Sequence, residues 1–247
     1  MSDYTIGVTT FSKRYNFMVK LIPQIRSFTD KPIIISVNGE KNAKFDEDYR
    51  RKILELCSKY ENVFPTFFLE TRGLSKMWNT TLIMSYYENV LMLNDDIEIL
   101  SSNIFDVTDT HINSNSFTGL SKINSSFSHF IVNKKLMDDV GYFDERLLGF
   151  GEEDGDITYR LLKIGVSVNN IGVRDVINIV SNVRHDHVKS GIGKYSQFNR
   201  EFIYNEKYVP NMDSHYRGMF DTPMDQKLED NNQYPNEKFF SENKNKL

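Results

Sequence analysis

Asn89-Val90-Leu91-Met92-Leu93-Asn94-Asp95-Asp96 decides how this chain reads: an apolar run that stops in an amide and two adjacent carboxylates. Uninterrupted apolar residues mark a strand covered on both faces, as in parallel sheets. Such sheets bind ligands beyond the carboxyl ends of their strands. Two similar runs lie upstream, Ile6-Gly7-Val8-Thr9-Thr10 and Pro32-Ile33-Ile34-Ile35-Ser36-Val37, the second ended by Asn38-Gly39. A further strand is expected over Val63 to Leu69, with Pro65 restricting it to a beginning or an edge. Between the strands, apolar residues recur at helical spacing: Phe17, Met18, Leu21, Ile22, Ile25 and Phe28, then Tyr49, Ile53, Leu54, Leu56, Cys57 and Tyr60. Pro23 is expected to kink the first helix or to fall near its start. A third helix over Ser75 to Tyr87 leads into the deciding strand. Strand–helix alternation predicts an α/β fold, a mostly parallel central sheet with right-handed crossovers and flanking helices.

Beyond Leu100 the pattern changes. Residues 101–135 are rich in Ser, Asn and Phe, with strand-like runs at Ser116–Leu120 and Phe127–Val132. Helices are expected at Lys134–Val140 and Asp156–Ile164, and a strand at Val166–Ile171. Residues 1–209 read as one domain, a nucleotide-binding-like α/β half to residue 100 and a more irregular half that completes it. Residues 210–247 read as a polar extension rich in Asn, Asp, Glu and Lys.

Of 247 residues, 39% are hydrophobic and 13% aromatic, enough for a sizeable core, which excludes a wholly disordered chain. Thirty Lys and Arg stand against 34 Asp and Glu, so attraction to bulk phosphate is unfavourable and no nucleic-acid partner is expected. A single cysteine, Cys57, excludes an internal disulfide and a cysteine-cluster metal site. No stretch approaches the ~20 apolar residues of a spanning helix. Met1-Ser2-Asp3-Tyr4 lacks the opening of a signal peptide, so a cytoplasmic protein is expected.

Two acidic segments carry the chemistry. At the strand end, alternation puts Asn94, Asp96 and Glu98 on one side and Asp95 on the other. Adjacent carboxylates suit a hard divalent cation shared with phosphate oxygens; a solvated turn would use the same residues. The second segment runs from Gly141-Tyr142-Phe143-Asp144-Glu145-Arg146 through Gly149-Phe150-Gly151-Glu152-Glu153-Asp154-Gly155-Asp156. Four carboxylates in five residues repel one another and raise some of their pKa values, which suits a general base. The alternative is helix capping, with Asp154 or Asp156 starting the helix and Asp156 the better candidate.

These motifs resemble the family 2 glycosyltransferases of the GT-A fold. The resemblance covers residues 4–208. It rests on the N-terminal strand–helix–strand, Leu93-Asn94-Asp95-Asp96, and the glycine–aromatic–Phe-Asp-Glu motif leading to Glu153-Asp154-Gly155-Asp156, Arg160 and Gly165. Arg72-Gly73-Leu74-Ser75-Lys76-Met77-Trp78-Asn79 fits a further family segment. The resemblance implies metal-assisted transfer of a sugar, with inversion, from a nucleotide-sugar to a hydroxyl of a glycan or lipid-linked glycan. UDP is the default nucleotide and membrane contact is at most peripheral. Asp95 and Asp96 match the metal and ribose motif, Asp96 being the direct ligand of Mn²⁺ or Mg²⁺. Asn94 replaces the usual first acid; it can bond a ribose hydroxyl but brings no charge. Asp154 matches the catalytic base, with Glu153 beside it. Thr9, Thr10 and Phe11 end the first strand where this fold meets the nucleotide; Asn38 matches a base-contacting acid, and Arg72 a diphosphate or base contact. His185 and His187 fall where relatives supply a metal or phosphate ligand. The Lys189 and Lys194 region, with Ser190-Gly191-Ile192-Gly193 as a loop, is a candidate phosphate closure. Trp78 is expected in the core. Two other readings compete: a catalytically inactive nucleotide-sugar-binding module, and a sugar-1-phosphate nucleotidyltransferase, disfavoured by the lack of an N-terminal glycine-rich phosphate loop.

Overall fold

The computed structural model describes residues 3–11, 13–40, 44–112, 117–121, 127–179 and 192–208. The amino-terminal half alternates as its periodicity predicts. Strand β1 (Thr5–Thr10) is followed by α1 (Tyr15–Phe28), β2 (Ile33–Val37), α2 (Glu47–Cys57), β3 (Val63–Phe67), α3 (Leu74–Met84) and β4 (Asn89–Asn94). A two-stranded antiparallel ribbon of β5 (Ile97–Ile99) and β9 (Val176–Asn178) leaves the main sheet beyond β4. Between its strands lie α4 (Asn103–His111), β6 (Phe117–Gly119), β7 (His129–Asn133), α5 (Lys134–Val140), α6 (Glu153–Lys163) and β8 (Val168–Asn170). The described chain closes with α7 (Ile192–Phe202) and a π-helical turn, Ile203–Lys207.

The main sheet has seven strands in the order β3-β2-β1-β4-β7-β6-β8, and β7 alone runs against its neighbours. Every residue of β1 and β2 is buried because helices cover both faces. One face packs Ile6, Val8, Ile33, Ile35, Leu91 and Leu93 under α1, α2 and α4. The other packs Val90, Met92, Phe130 and Val132 against Trp78 and Leu82 of α3 and Met137, Ile157 and Leu161 of α5 and α6. Trp78 is therefore a core residue, its ring 5.3 Å from Phe130 and 4.8 Å from Phe143. Gly7 lets α3 approach β1: a Cβ there would collide with Met92 and Thr81. Pro65 lies on β3, the sheet edge, where its missing N–H costs no ladder bond.

Pro23 sits inside α1, the alternative to a place near its start. Two expectations change. Residues 101–135 contain a helix, α4, whose Ile104, Phe105 and Thr108 are buried beneath a polar outer face. Helix α6 begins three residues before Asp156, so Asp156 lies in its first turn and caps nothing; Glu152 occupies the capping position with φ +77°. Among the described residues no helix is long and apolar enough to cross a membrane.

Candidate active site

Strand order reverses between β1, which crosses over to β2, and β4, so a crevice opens beyond the carboxyl ends of these two strands. The parallel register pairs Val8 with Leu93 and Thr9 with Asn94, which brings Thr10 beside Asp95. Asp95 is buried, one oxygen accepting from Thr10 Oγ1 at 2.6 Å and the other from Arg14 Nη1 at 2.6 Å. Burial pushes its carboxyl up to about 6, against the opposing pull of Arg14 and Thr10. Burial alternates as strand geometry predicts, leaving Asn94, Asp96 and Glu98 half-buried and Asp95 inside. Asp96 lies 3.7 Å from the same Arg14 nitrogen. The two acids thus differ: Asp95 has both oxygens committed to protein groups, whereas Asp96 keeps a half-exposed carboxylate.

Arg14 was not singled out by motif. It occupies the N-cap position of α1, its guanidinium 5.5 Å from the ring centroids of both Phe11 and Phe17. A cation at a helix start runs against the macrodipole, and that misfit was the available signal. Nearby, Tyr49 Oη donates to the Phe11 carbonyl at 2.9 Å and fixes the exit of β1. Thr9 is buried and Phe11 half-buried. Asn38 is wholly buried and its amide is spent on backbone: Nδ2 donates to Arg72 O, while Oδ1 accepts from Arg72 N and Gly39 N. It joins the end of β2 to the Arg72 loop. The Arg72 guanidinium lies 3.4 Å from Glu70.

Across the crevice stands the glycine–acid segment. Leu74 N donates to Gly149 O at 2.7 Å, and the Phe150 ring meets Phe11 edge-on at 6.5 Å. Helix α7 grips the segment from behind. Asn199, wholly buried, accepts from Leu148 N and donates to Leu148 O and Gly151 O. Gly149, at φ +59°, and Gly151, at φ +114°, adopt backbone that other residues resist, and a Cβ on Gly149 would strike the Tyr195 ring of α7.

The acids here take separate roles. Asp144 accepts from the Arg146 guanidinium and from Lys207 Nζ at 2.7 Å. Asp156 accepts from Arg160, from Lys207 Nζ at 2.8 Å and from Tyr208 Oη at 2.7 Å. Burial alone would raise both carboxyls; for Asp144 the charges of Lys207 and Arg146, and for Asp156 those of Arg160 and Lys207, hold them below the ordinary range. Glu145 accepts from Asn79 Nδ2 and pairs with Lys76 at 3.1 Å, bracing the motif on α3. Glu152 accepts from Ser196 and Arg200 of α7. Glu153 is buried with both oxygens on Gly151 N, and burial pushes its carboxyl up to about 8. Asp154 remains half-buried. One of its oxygens accepts from Gly155 N at 2.8 Å and the other has no hydrogen bond among the described residues. Its pKa is raised, by burial first and then by the charge of Glu152, with the Gly155 N–H opposing.

His185, His187, Lys189, Ser190 and Gly191 lie outside the described residues, as does the side chain of Lys194. Ile192 and Gly193 open α7 instead of forming a loop. Among the described residues no three His, Cys, Asp or Glu side chains cluster to hold a metal. Asp96 with Asn94 beside it still suits Mg²⁺ or Mn²⁺ of the kind held by one carboxylate, waters and substrate phosphates.

Strand order and the single antiparallel strand of the main sheet give a GT-A fold. Solved structures agree. The mannosyltransferase PcManGT of Pyrobaculum calidifontis, in complex with GDP-Man and Mn²⁺, superposes with TM-score 0.57 at 11% identity, over 70% of this chain and 56% of that one. S. aureus TarS 1–349 in complex with UDP gives 0.55 at 14% identity, over 83% and 73%. GalNAc-T7 with UDP, GalNAc and Mn²⁺ gives 0.55 at 10%, over 68% and 42%. The chain thus spans little more than half of the mannosyltransferase chain and less than half of the GalNAc-T7 chain. No protein-family model and no curated protein matches the sequence.

Proposed function

We propose that the chain is an inverting glycosyltransferase that moves a sugar from a nucleotide-sugar, UDP-linked by default, to a hydroxyl of a glycan or lipid-linked glycan. Residues 1–209 form its catalytic domain, working in the cytoplasm or peripherally at the inner membrane face. One observation carries the reading. In the glycine–acid segment, Asp154 alone combines a half-buried carboxyl, a raised pKa and an oxygen with no hydrogen bond among the described residues. An inverting displacement needs one base on the acceptor side and no protein nucleophile. Asp154 takes the acceptor hydroxyl proton as that oxygen attacks the anomeric carbon, and the bond to the nucleoside diphosphate breaks on the opposite face. Glu153, protonated in its buried site at neutral pH, adds no competing charge. Asp96 would hold a divalent cation, with His185 or His187 as a further ligand, and a bound ion would supply positive charge against the diphosphate leaving group. Thr9, Thr10, Phe11, Asn94 and Arg72 line the nucleotide side. Asp95 shapes it through Thr10 and Arg14, and Asn38 shapes it through the Arg72 backbone.

Thermal unfolding with UDP, GDP, dTDP and CMP, each with Mn²⁺ or chelator, tests the donor side. A nucleotide at a hundred times its dissociation constant adds about 2.7 kcal/mol. A metal-dependent shift with one nucleotide is expected, and no shift with any of them sinks the reading. Asp154→Asn is expected to keep that shift while transfer falls about 10²- to 10⁴-fold.

A further inference from the structure

The opposite rim of the sheet holds a second concavity that the proposed reaction does not use. It lies where β1, β2, β3 and β4 begin, about 17 Å from the acid crevice at ~3.3 Å per strand residue. Its volume is about 580 Å³, inside the roughly 300–1,000 Å³ of small-molecule sites. Four aromatic rings border it with much of their surface in water: Tyr86 at 62%, Phe28 at 39%, Phe64 at 38% and Tyr87 at 36%. Phe64 and Tyr86 lie 5.4 Å apart with their planes at 44°, forming one corner of apolar surface.

The cavity is built rather than incidental. A single guanidinium ties its two lining loops together. Arg26 Nη1 donates to the carbonyls of Thr29 and Lys31, and Nη2 to those of Glu61 and Asn62, at 2.8–3.1 Å. Asn62 takes φ +58°, a left-handed turn that Asn tolerates. The polar side chains between the rings are the carboxylates of Asp3 and Asp30, one Asp3 oxygen being paired with Lys31, and the amide of Asn62, which both donates and accepts, all exposed. The cations there are already engaged, Arg26 with carbonyls and Lys31 with Asp3 at 3.4 Å and the Tyr4 ring at 5.2 Å. Acceptor groups and committed cations disfavour a phosphate, a nucleotide or an acidic peptide.

We propose that this rim is a second, non-catalytic saccharide-binding site for a neutral oligosaccharide segment. Exposed aromatic rings suit the C–H surfaces of pyranoses, and the carboxylate and amide oxygens accept from their hydroxyls. It rests on the reading above in one respect only: a chain that extends a glycan polymer would meet such a segment some residues from the growing end. The rim would then hold the acceptor by a second contact and raise its local concentration at the crevice.

Saturation-transfer NMR on the full chain tests this without turnover. The probes are the hexaoses of β-1,4-xylose, β-1,4-glucose, α-1,4-glucose, β-1,4-N-acetylglucosamine and β-1,4-mannose. Transfer to at least one is expected. Tyr86→Ala should weaken it, and Phe64→Ala with Tyr86→Ala should weaken it at least about tenfold, with unchanged unfolding temperatures. Asp154→Asn and added UDP with Mn²⁺ should leave it intact. No transfer to any hexaose overturns the proposal. So does transfer that survives the double variant, which would place the sugar elsewhere. Self-association of the native chain that the double variant abolishes would make the rim an interface between copies, and also overturns it. A nucleotide shift that fails while rim binding persists would break the transferase reading alone.

Discussion

The two sides of the crevice are held by different physics. The β1–β4 side is an apolar sandwich: β1 and β2 are buried at every position and their neighbours are chiefly Ile, Leu, Val and Met. The Asp144–Asp156 side is fastened by ions, with Asp144, Asp156, Arg160 and Lys207 all inside the protein. Apolar packing is local, roughly additive and tolerant of small changes in shape. A buried ion cluster balances only when every member is present. The Asp144–Asp156 side therefore depends on a distant segment, α7 and the π-helical turn, in a way the β1–β4 side does not.

That contrast predicts where the molecule breaks. The largest effect is expected from Lys207→Met, which leaves two buried carboxylates short of a partner and should cost about 3–5 kcal/mol in urea unfolding. Lys207→Arg should recover part of it. A loss under about 1 kcal/mol for the Met variant would mean that Arg146 and Arg160 suffice. On the apolar side, Gly7→Ala forces a methyl into Met92 and Thr81 and should cost about 1–3 kcal/mol. Ile35→Val, a single methylene in the same sandwich, should cost only about 0.5–1.5 kcal/mol. If it matched Lys207→Met, the comparison would fail.

The pH response separates the two kinds of acid. Glu153 is raised from 4.5 to about 8 in the folded state. The folded protein therefore holds a proton that the unfolded chain has released. Its stabilising effect is complete below 4.5 and is lost as pH rises through about 8. Asp144 and Asp156 are lowered, so their contribution is present above the ordinary value of 3.8 and is lost on acidification. Glu153→Gln should thus unfold at a progressively higher temperature than the native chain between pH 4.5 and 8, with no such trend if Glu153 stays ionised.

Strands β1, β2 and β4 and helices α1, α2, α3 and α5 were legible because each carries its own period and its own punctuation. Helix α5 is capped by Asn133, whose side chain accepts from Lys135 N, and closed by Gly141 at φ +88°. Helix α4 was not legible, since its polar Ser- and Asn-rich setting masks three buried residues. Ribbon β5–β9 pairs residues about eighty positions apart, a separation that no local pattern reports. At the candidate site, the motifs pointed to two carboxyl-rich segments but could not sort the acids within them. Asp156 looked like a cap because Asp commonly is one. It is instead a counterion, and of its partners only Arg160, one helical turn away, was near enough in sequence to suggest this.

By itself the sequence determined the parallel α/β core, its strand ends and the acids gathered there, because periodicity, β-branched runs and turn residues act over a few positions. Tertiary structure alone decided which acid is neutralised by cations, which carboxyl is raised by burial and which stays half-buried. Those properties depend on burial and on charges brought from afar: Arg14 to Asp95 across 81 positions and Lys207 to Asp144 across 63. A carboxylate's charge is set by the groups within a few ångströms of it, and only folding assembles that neighbourhood.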